Sequence, residues 1–147
     1  SDDSILLAGG TGLGKTHLTT AVARKLIDKG YDVVYESAQN IFADFDRDRF
    51  LDRFGSEEPI SYKYLDCDLL IIDDLGAEMV SAFSISCLYN IINTRLNKGK
   101  PIIVSTNLSS TEIKKMYQDR ITSRLFGEFL ILPFTGTDYR RKKLKNN

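Results

Sequence analysis

Two isolated cysteines, Cys67 and Cys87, and a single histidine are too few for a zinc site or a disulfide framework to be read from spacing. Both cysteines read as small core residues of a reducing compartment. Long hydrophobic runs are also missing. The longest, ILLA, LLII and FLIL, fall far short of the ~18 to 20 residues that span a bilayer. The first ten residues, SDDSILLAGG, lack the basic segment and long apolar stretch of an export signal, so nothing marks the chain for a membrane and a cytoplasmic location is expected. There is no repeat, no low-complexity block and no overall excess of either charge, with 20 basic against 20 acidic groups. The one local excess is the ending RRKKLKNN, which carries five basic groups and leaves residues 1 to 139 with a net charge of −5. A solvated tail is the plain reading of that ending, and contact with nucleic acid is the alternative. No initiator methionine precedes a first strand that begins within five residues, so the chain reads as a domain cut from a longer protein.

What is present is 147 residues at 42% hydrophobic and 27% charged, enough for one globular domain with a sizeable core. Apolar β-prone runs stand at ILLAG (5 to 9), DVVYES (32 to 37), DLLIID (68 to 73), PIIVST (101 to 106) and EFLILP (128 to 133). Helical patterns lie between them. THLTTAVARKLIDKG stops at Gly30, AQNIFADFDRDRFLDRFG at Gly55 and SAFSISCLYNIINTRLNKG at Gly99. One further helix is expected over SSTEIKKMYQDRITSRLFG, capped by Ser110. Strands apolar on both faces and joined by helical crossovers make an α/β fold, a five-stranded parallel sheet between helices. Residues 1 to 133 form this core, and 134 to 147 a basic tail.

In such a sheet ligands bind beyond the carboxyl ends of the strands, and that is where the unusual residues fall. After the first strand comes GGTGLGKT, residues 9 to 16, which fits the pattern G-x-x-x-x-G-K-[ST] with Gly9, Gly14, Lys15 and Thr16. Glycines let successive backbone N–H groups of Gly9, Gly10, Thr11, Gly12, Leu13 and Gly14 curl around a phosphate chain, and the next helix adds its positive end. Lys15 would reach the β- and γ-phosphates, and the Thr16 hydroxyl would ligate Mg²⁺. His17 follows directly and is a further candidate contact for the nucleotide, although packing or capping is the ordinary use of a histidine at a helix start.

LLIIDDLG, residues 69 to 76, sets two carboxylates against the end of an apolar strand. Mg²⁺ held by a nucleotide needs a carboxylate from a neighbouring strand, and hydrolysis needs a second polar group to orient water. Asp73 suits the metal and Asp74 the water, so the charges are expected to end the strand at the reaction site. PIIVSTN closes on Asn107, whose amide could meet the γ-phosphate or the attacking water from the strand beside the first, or could simply turn the chain. Arg120 and Arg124 are four residues apart on one helix face. Such arginines are usually solvated, but a guanidinium delivered to a neighbour's γ-phosphate would stabilise transition-state charge.

Over residues 4 to 141 the chain resembles the AAA+ ATPase domain of bacterial replicative-helicase loaders of the DnaC/DnaI type, which is closely similar to the transposition helper ATPases of the IstB type. GGTGLGKTHL resembles that family's Walker A segment, LLIIDDLGAE its Walker B, VSTN its sensor 1, DRITSRLFGE its arginine-finger helix and TDYRR its sensor 2 segment. The resemblance implies an ATP- and Mg²⁺-dependent ATPase that helps load the replicative DNA helicase onto single-stranded DNA and assembles so that Arg124 acts on the next subunit's nucleotide. It makes Asn107 the sensor, Arg120 a second candidate in the finger helix and Arg140 a nucleotide-contacting sensor 2. The helicase partner would be gripped by an amino-terminal region this chain does not contain. Two departures stand out. The wider AAA+ class tends to have Asp-Glu where this chain has Asp73-Asp74, and no helical lid is visible after the last strand to support Arg140. Candidate DNA contacts are Ser81, Phe83 and Phe50 with nearby Arg49 and Arg53, because aromatics stack on bases and cations track phosphates, although Phe42, Phe45, Phe50 and Phe54 also have the spacing of a core-facing helix.

Other classes remain. Asp73-Asp74-Leu75-Gly76 fits the D-x-x-G of a GTPase switch, but the guanine-reading N-K-x-D is missing, since NKGK at 97 to 100 ends in lysine. A transposition helper acting on duplex DNA and an ATP-switched adaptor with little turnover share the same motifs. A small-molecule kinase would leave Asn107 and Arg124 as separate accidents.

Overall fold

The computed structural model describes residues 4–10, 13–54 and 58–134. Thr11, Gly12, the expected stop at Gly55 and the tail with Arg140 lie outside the described residues. Eleven elements follow one another: β1 (Ile5–Ala8), α1 (Leu13–Asp28), β2 (Val33–Ser37), α2 (Ala38–Phe54), α3 (Tyr62–Asp66), β3 (Leu69–Leu75), α4 (Ala82–Asn97), β4 (Ile102–Thr106), α5 (Ser110–Met116), α6 (Asp119–Glu128) and β5 (Leu130–Pro133). The five strands form one parallel sheet in the order β2-β3-β4-β1-β5. β4 therefore stands between β1 and β3, so the acid-bearing strand is one place removed from the glycine-rich loop.

Alternation along the strands divides the core into two layers. Leu7, Ile71 and Ile103 face α1 with Ala23. Leu6, Leu70, Ile72, Ile102 and Val104 face the opposite layer, where they meet Ile41, Leu88, Ile91, Ile113 and Leu125 from α2, α4, α5 and α6. Each fully buried Leu or Ile is worth roughly 1.5–3 kcal/mol, which is why both faces of the central strands are apolar. The outer strands β2 and β5 are only partly buried, as sheet edges should be.

Three expectations need correcting. The helix expected over 109 to 127 is two helices, because Tyr117 (φ −114°, ψ 151°) and Gln118 (φ −72°, ψ 158°) are extended between α5 and α6; the Tyr117 side chain turns into the core instead. The cap of α5 is Ser109, not Ser110. Its hydroxyl accepts from Glu112 N–H and the Glu112 carboxylate accepts from Ser109 N–H, a reciprocal pair that depends on the Ser-x-x-Glu spacing. Finally, α6 runs through Glu128, so β5 starts at Leu130 rather than at 128. The short helix α3 has no counterpart among the expected elements.

Candidate functional site

β1 ends at Ala8, and the chain turns through Gly9 (φ 89°) and Gly10 (φ 44°) into α1. A side chain at Gly9 would be strained by that φ and would lie 3.1 Å from the Phe134 carbonyl oxygen, while Phe134's ring packs 3.4 Å from where a Gly14 Cβ would stand. Phe134 N–H donates to Ala8 O at 2.8 Å, so the last strand closes against the glycine-rich loop. From the first turn of α1, Lys15 folds back and is only 7% exposed. Its ammonium has three protons to place and donates to Gly9 O, Gly10 O and Asn107 Oδ1, the last at 2.8 Å. Burial lowers its pKa from the ordinary lysine value, against the pull of Asp74 and then Asp73.

The two carboxylates do not end β3. The strand continues to Leu75, and its register with β4 shifts between Ile72, opposite Val104, and Leu75, opposite Thr106. The extra residue is a bulge centred on Asp74, the sole non-glycine among the described residues with positive φ (60°). In a regular strand neighbouring side chains point to opposite faces; the bulge lets Asp73 and Asp74 border the same pocket. Ser105, unnoticed in the sequence, holds this shape by donating to Asp73 Oδ1 at 2.8 Å and accepting from Asp74 N–H at 3.2 Å. Thr106 is similarly employed, donating to Leu75 O and accepting from Leu108 N–H.

The resulting pocket, about 250 Å³, is lined by Lys15, Thr16, Asp73, Asp74, Ser105, Thr106 and Asn107. It brings together the first turn of α1, the end of β3 and the end of β4 with the residue after it, and with them one buried cation and two carboxylates. No group of three or more His, Cys, Asp or Glu that could hold a metal by itself occurs among the described residues. Thr16 and Asp73, both on the pocket wall, offer the oxygen donors that a hard ion such as Mg²⁺ takes when water and phosphate oxygens supply its other ligands.

Other candidates stand apart from this pocket. His17 is exposed on α1. Arg124 donates to Glu128 Oε2 at 2.8 Å and Asn93 Oδ1 at 2.7 Å, and the Arg120 guanidinium lies 4.7 Å from the centre of the Tyr89 ring. Both arginines thus rest on α4. Ser81 caps α4 in a reciprocal pair with Ser84, and the Arg49 guanidinium sits 3.9 Å from the centre of the half-buried Phe83 ring. Together with Met79 and Phe42 they border a groove of about 450 Å³ between α2 and the β3–α4 loop. Phe50 is exposed on α2, and the side chain of Arg53 is outside the described residues.

A family model of IstB-like ATP-binding proteins matches residues 1–147. The chain belongs to that family. This IstB-like chain is 27% identical to the replicative helicase loader DnaC of Escherichia coli (strain K12) over 140 residues, 95% of this chain and 57% of the relative. It is 32% identical to the chromosomal replication initiator protein DnaA of Aliarcobacter butzleri (strain RM4018) over 120 residues, 82% of this chain and 26% of that protein. It therefore spans little more than half the length of the loader. Among solved structures, AMPPCP-bound DnaA from Aquifex aeolicus matches with a TM-score of 0.73 at 25% identity, covering 99% of this chain and 46% of the other. The crystal structure of the DnaC helicase loader shares the fold with a TM-score of 0.75 at 24% identity, covering 90% and 78%. The IstB-like fold is that of the AAA+ P-loop ATPase domains. Among the described residues no helix is long and apolar enough to cross a membrane.

Proposed function

We propose that this is the ATP-binding and ATP-hydrolysing domain of a cytoplasmic protein that helps load the replicative DNA helicase onto single-stranded DNA. The observation that carries the chemistry is the convergence of Lys15, Thr16, Asp73, Asp74 and Asn107 on one pocket. Lys15 and the loop from Gly9 to Thr16 hold the phosphates, exchanging the carbonyls and the Asn107 oxygen that Lys15 now engages. Thr16 and Asp73 would hold Mg²⁺, which would neutralise charge developing on the phosphate oxygens. Asp74, set by the bulge and by Ser105, orients the attacking water, and Asn107 meets the γ-phosphate beside it. Arg124 acts on the next subunit's nucleotide within an ATP-dependent assembly, Arg120 being the second candidate for that role in the same helix. Turnover is slow until that assembly forms. Arg124→Ala is expected to spare ATP binding and to abolish stimulated hydrolysis; undiminished stimulated turnover would remove the finger assignment. Phe50, Phe83 and Ser81 border or flank the proposed DNA path, although the Ser81 hydroxyl is committed to its cap.

Similarity to a helicase loader over 95% of the chain supports the loading role, and the family match supports a second reading, a transposition helper on duplex DNA. The two separate by the mass distribution of the intact protein mixed with the host's replicative helicase and ATP, beside Lys15→Ala. A defined complex with the helicase hexamer, lost in the variant, is expected. No such complex, but ATP-dependent assembly on duplex DNA, would move the assignment to the transposition helper.

A further inference from the structure

Glu78, only 8% exposed, is a buried carboxylate that forms none of the ion pairs found among the described residues. Its Oε1 accepts from Gly76 N–H, and its two oxygens accept from the Tyr117 hydroxyl at 3.0 and 3.3 Å. Tyr117, 3% exposed, is the hinge residue between α5 and α6, one position before the cap of the helix that carries Arg124. Burial and then the Glu78 charge push its phenol pKa up, so it stays a donor.

The other end of this link reaches the pocket. Gly76 lies two residues beyond Asp74, and a Cβ there would come 2.4 Å from Leu108 Cδ1. Leu108 follows Asn107, and its carbonyl accepts from Gly9 N–H at 3.1 Å. Contact is therefore continuous from the glycine-rich loop through Leu108, Gly76, Glu78 and Tyr117 to the start of α6. A buried carboxylate held by hydrogen bonds alone, with no cation paired to it among the described residues, is costly to keep.

We propose that Glu78 and Tyr117 are positioning residues that couple the nucleotide at a subunit's own glycine-rich loop to the set of its own α6, and hence to the arginine it offers its neighbour. Phosphate that takes Lys15 from Asn107 shifts the Asn107–Leu108 turn against Gly76, and the Glu78–Tyr117 link passes that shift to the α5–α6 hinge. The inference rests on the assignment of Arg124 to the neighbour's nucleotide.

A subunit-mixing experiment on the intact protein, with ATP and single-stranded DNA, separates the two. Asp74→Asn subunits keep a working finger and lack a working site. Tyr117→Phe alone should lower kcat about 10- to 100-fold, as misplaced catalytic groups do, with the KM for ATP unchanged. Mixed in equal amounts with Asp74→Asn it should recover activity above the sum of the two, towards about a quarter of the wild-type rate, the share of head-to-tail interfaces that pair a good site with a good finger. Mixed with Arg124→Ala it should recover nothing. Wild-type kcat in Tyr117→Phe would overturn the inference. So would a defect that Asp74→Asn does not rescue while it does rescue Arg124→Ala. Failure to rescue Arg124→Ala would instead bring down the finger assignment beneath it. Should Tyr117→Phe not fold, Glu78→Ala, which removes both oxygens that the Tyr117 hydroxyl and Gly76 N–H engage, runs the same test with the same expected rescue, and wild-type kcat in it would overturn the inference.

Discussion

Two buried cations sit at opposite ends of the same sheet and do different work. Lys15, at the carboxyl ends, and Arg95, at the amino ends, are both buried deeply enough to lower their pKa values. Arg95 is 0% exposed and grips Tyr64 O (3.0 Å), Cys67 Sγ (3.3 Å), Asp68 O (3.3 Å) and Pro101 O (2.9 Å). Its partners are backbone carbonyls and a thiol belonging to α3 and to the chain entering β3 and β4, so it ties those pieces to α4. Lys15 also holds carbonyls, but it does so beside a pocket, with two carboxylates and an amide that a ligand's oxygens could replace. Burial of a charge does not mark a site by itself. Partners that can be exchanged for a ligand do.

Breaking the fastening end should cost most. Arg95→Ala leaves several buried acceptors unpaired and is expected to lose about 3–5 kcal/mol in urea unfolding, while molecules that remain folded bind ATP as before; Arg95→Lys, without the planar fork, should restore only part. Breaking the exchangeable end should spare the fold. Lys15→Ala is expected to lower turnover about 10²- to 10³-fold with stability unchanged or raised, because a desolvated charge has gone. The pH dependence carries a definite sign. Since folding lowers the Lys15 pKa, the unfolded chain binds its proton more tightly, and stability should rise as pH climbs from the folded-state pKa towards the free value of 10.5. That rise should be absent from Lys15→Met.

Two smaller changes sharpen the contrast. Gly76→Ala, at φ 99° and against Leu108, should cost about 1–3 kcal/mol and slow turnover through the Asn107 turn; adding Leu108→Ala should relieve the clash and leave the φ strain. Ser109→Ala should cost about 1 kcal/mol, whereas Ser110→Ala, one residue on, should stay within about 0.5 kcal/mol, both read by thermal melting.

That Lys15, the acid pair and Asn107 would share one pocket was legible because the signals are local. The glycine-rich loop, the acid pair and Asn107 each follow an apolar run, and the parallel-sheet rule places all three at one edge. What the sequence hid depends on tertiary contacts. Side-chain alternation cannot show that Asp74 adopts a positive φ, so the bulge, and with it Ser105's part in holding both carboxylates, stayed out of view. The break at Tyr117 comes from its hydroxyl meeting Glu78, 39 positions away. Arg95 and the α5 cap left traces that could have been followed. Leu88, Ile91, Ile92 and Arg95 form a helical stripe in which the arginine takes a core position, and Ser109 stands three residues before Glu112 as a capping box requires.

The most direct test is the melting temperature of the intact protein with and without ATP and Mg²⁺, for wild type and Lys15→Ala. At about 100 times its Kd, ATP should stabilise the wild type by about 2.7 kcal/mol, more weakly without Mg²⁺, and leave Lys15→Ala unmoved even though that variant alone melts no lower than wild type. An equal ATP-induced rise in both proteins would contradict the assignment of the strand-end pocket as the nucleotide site.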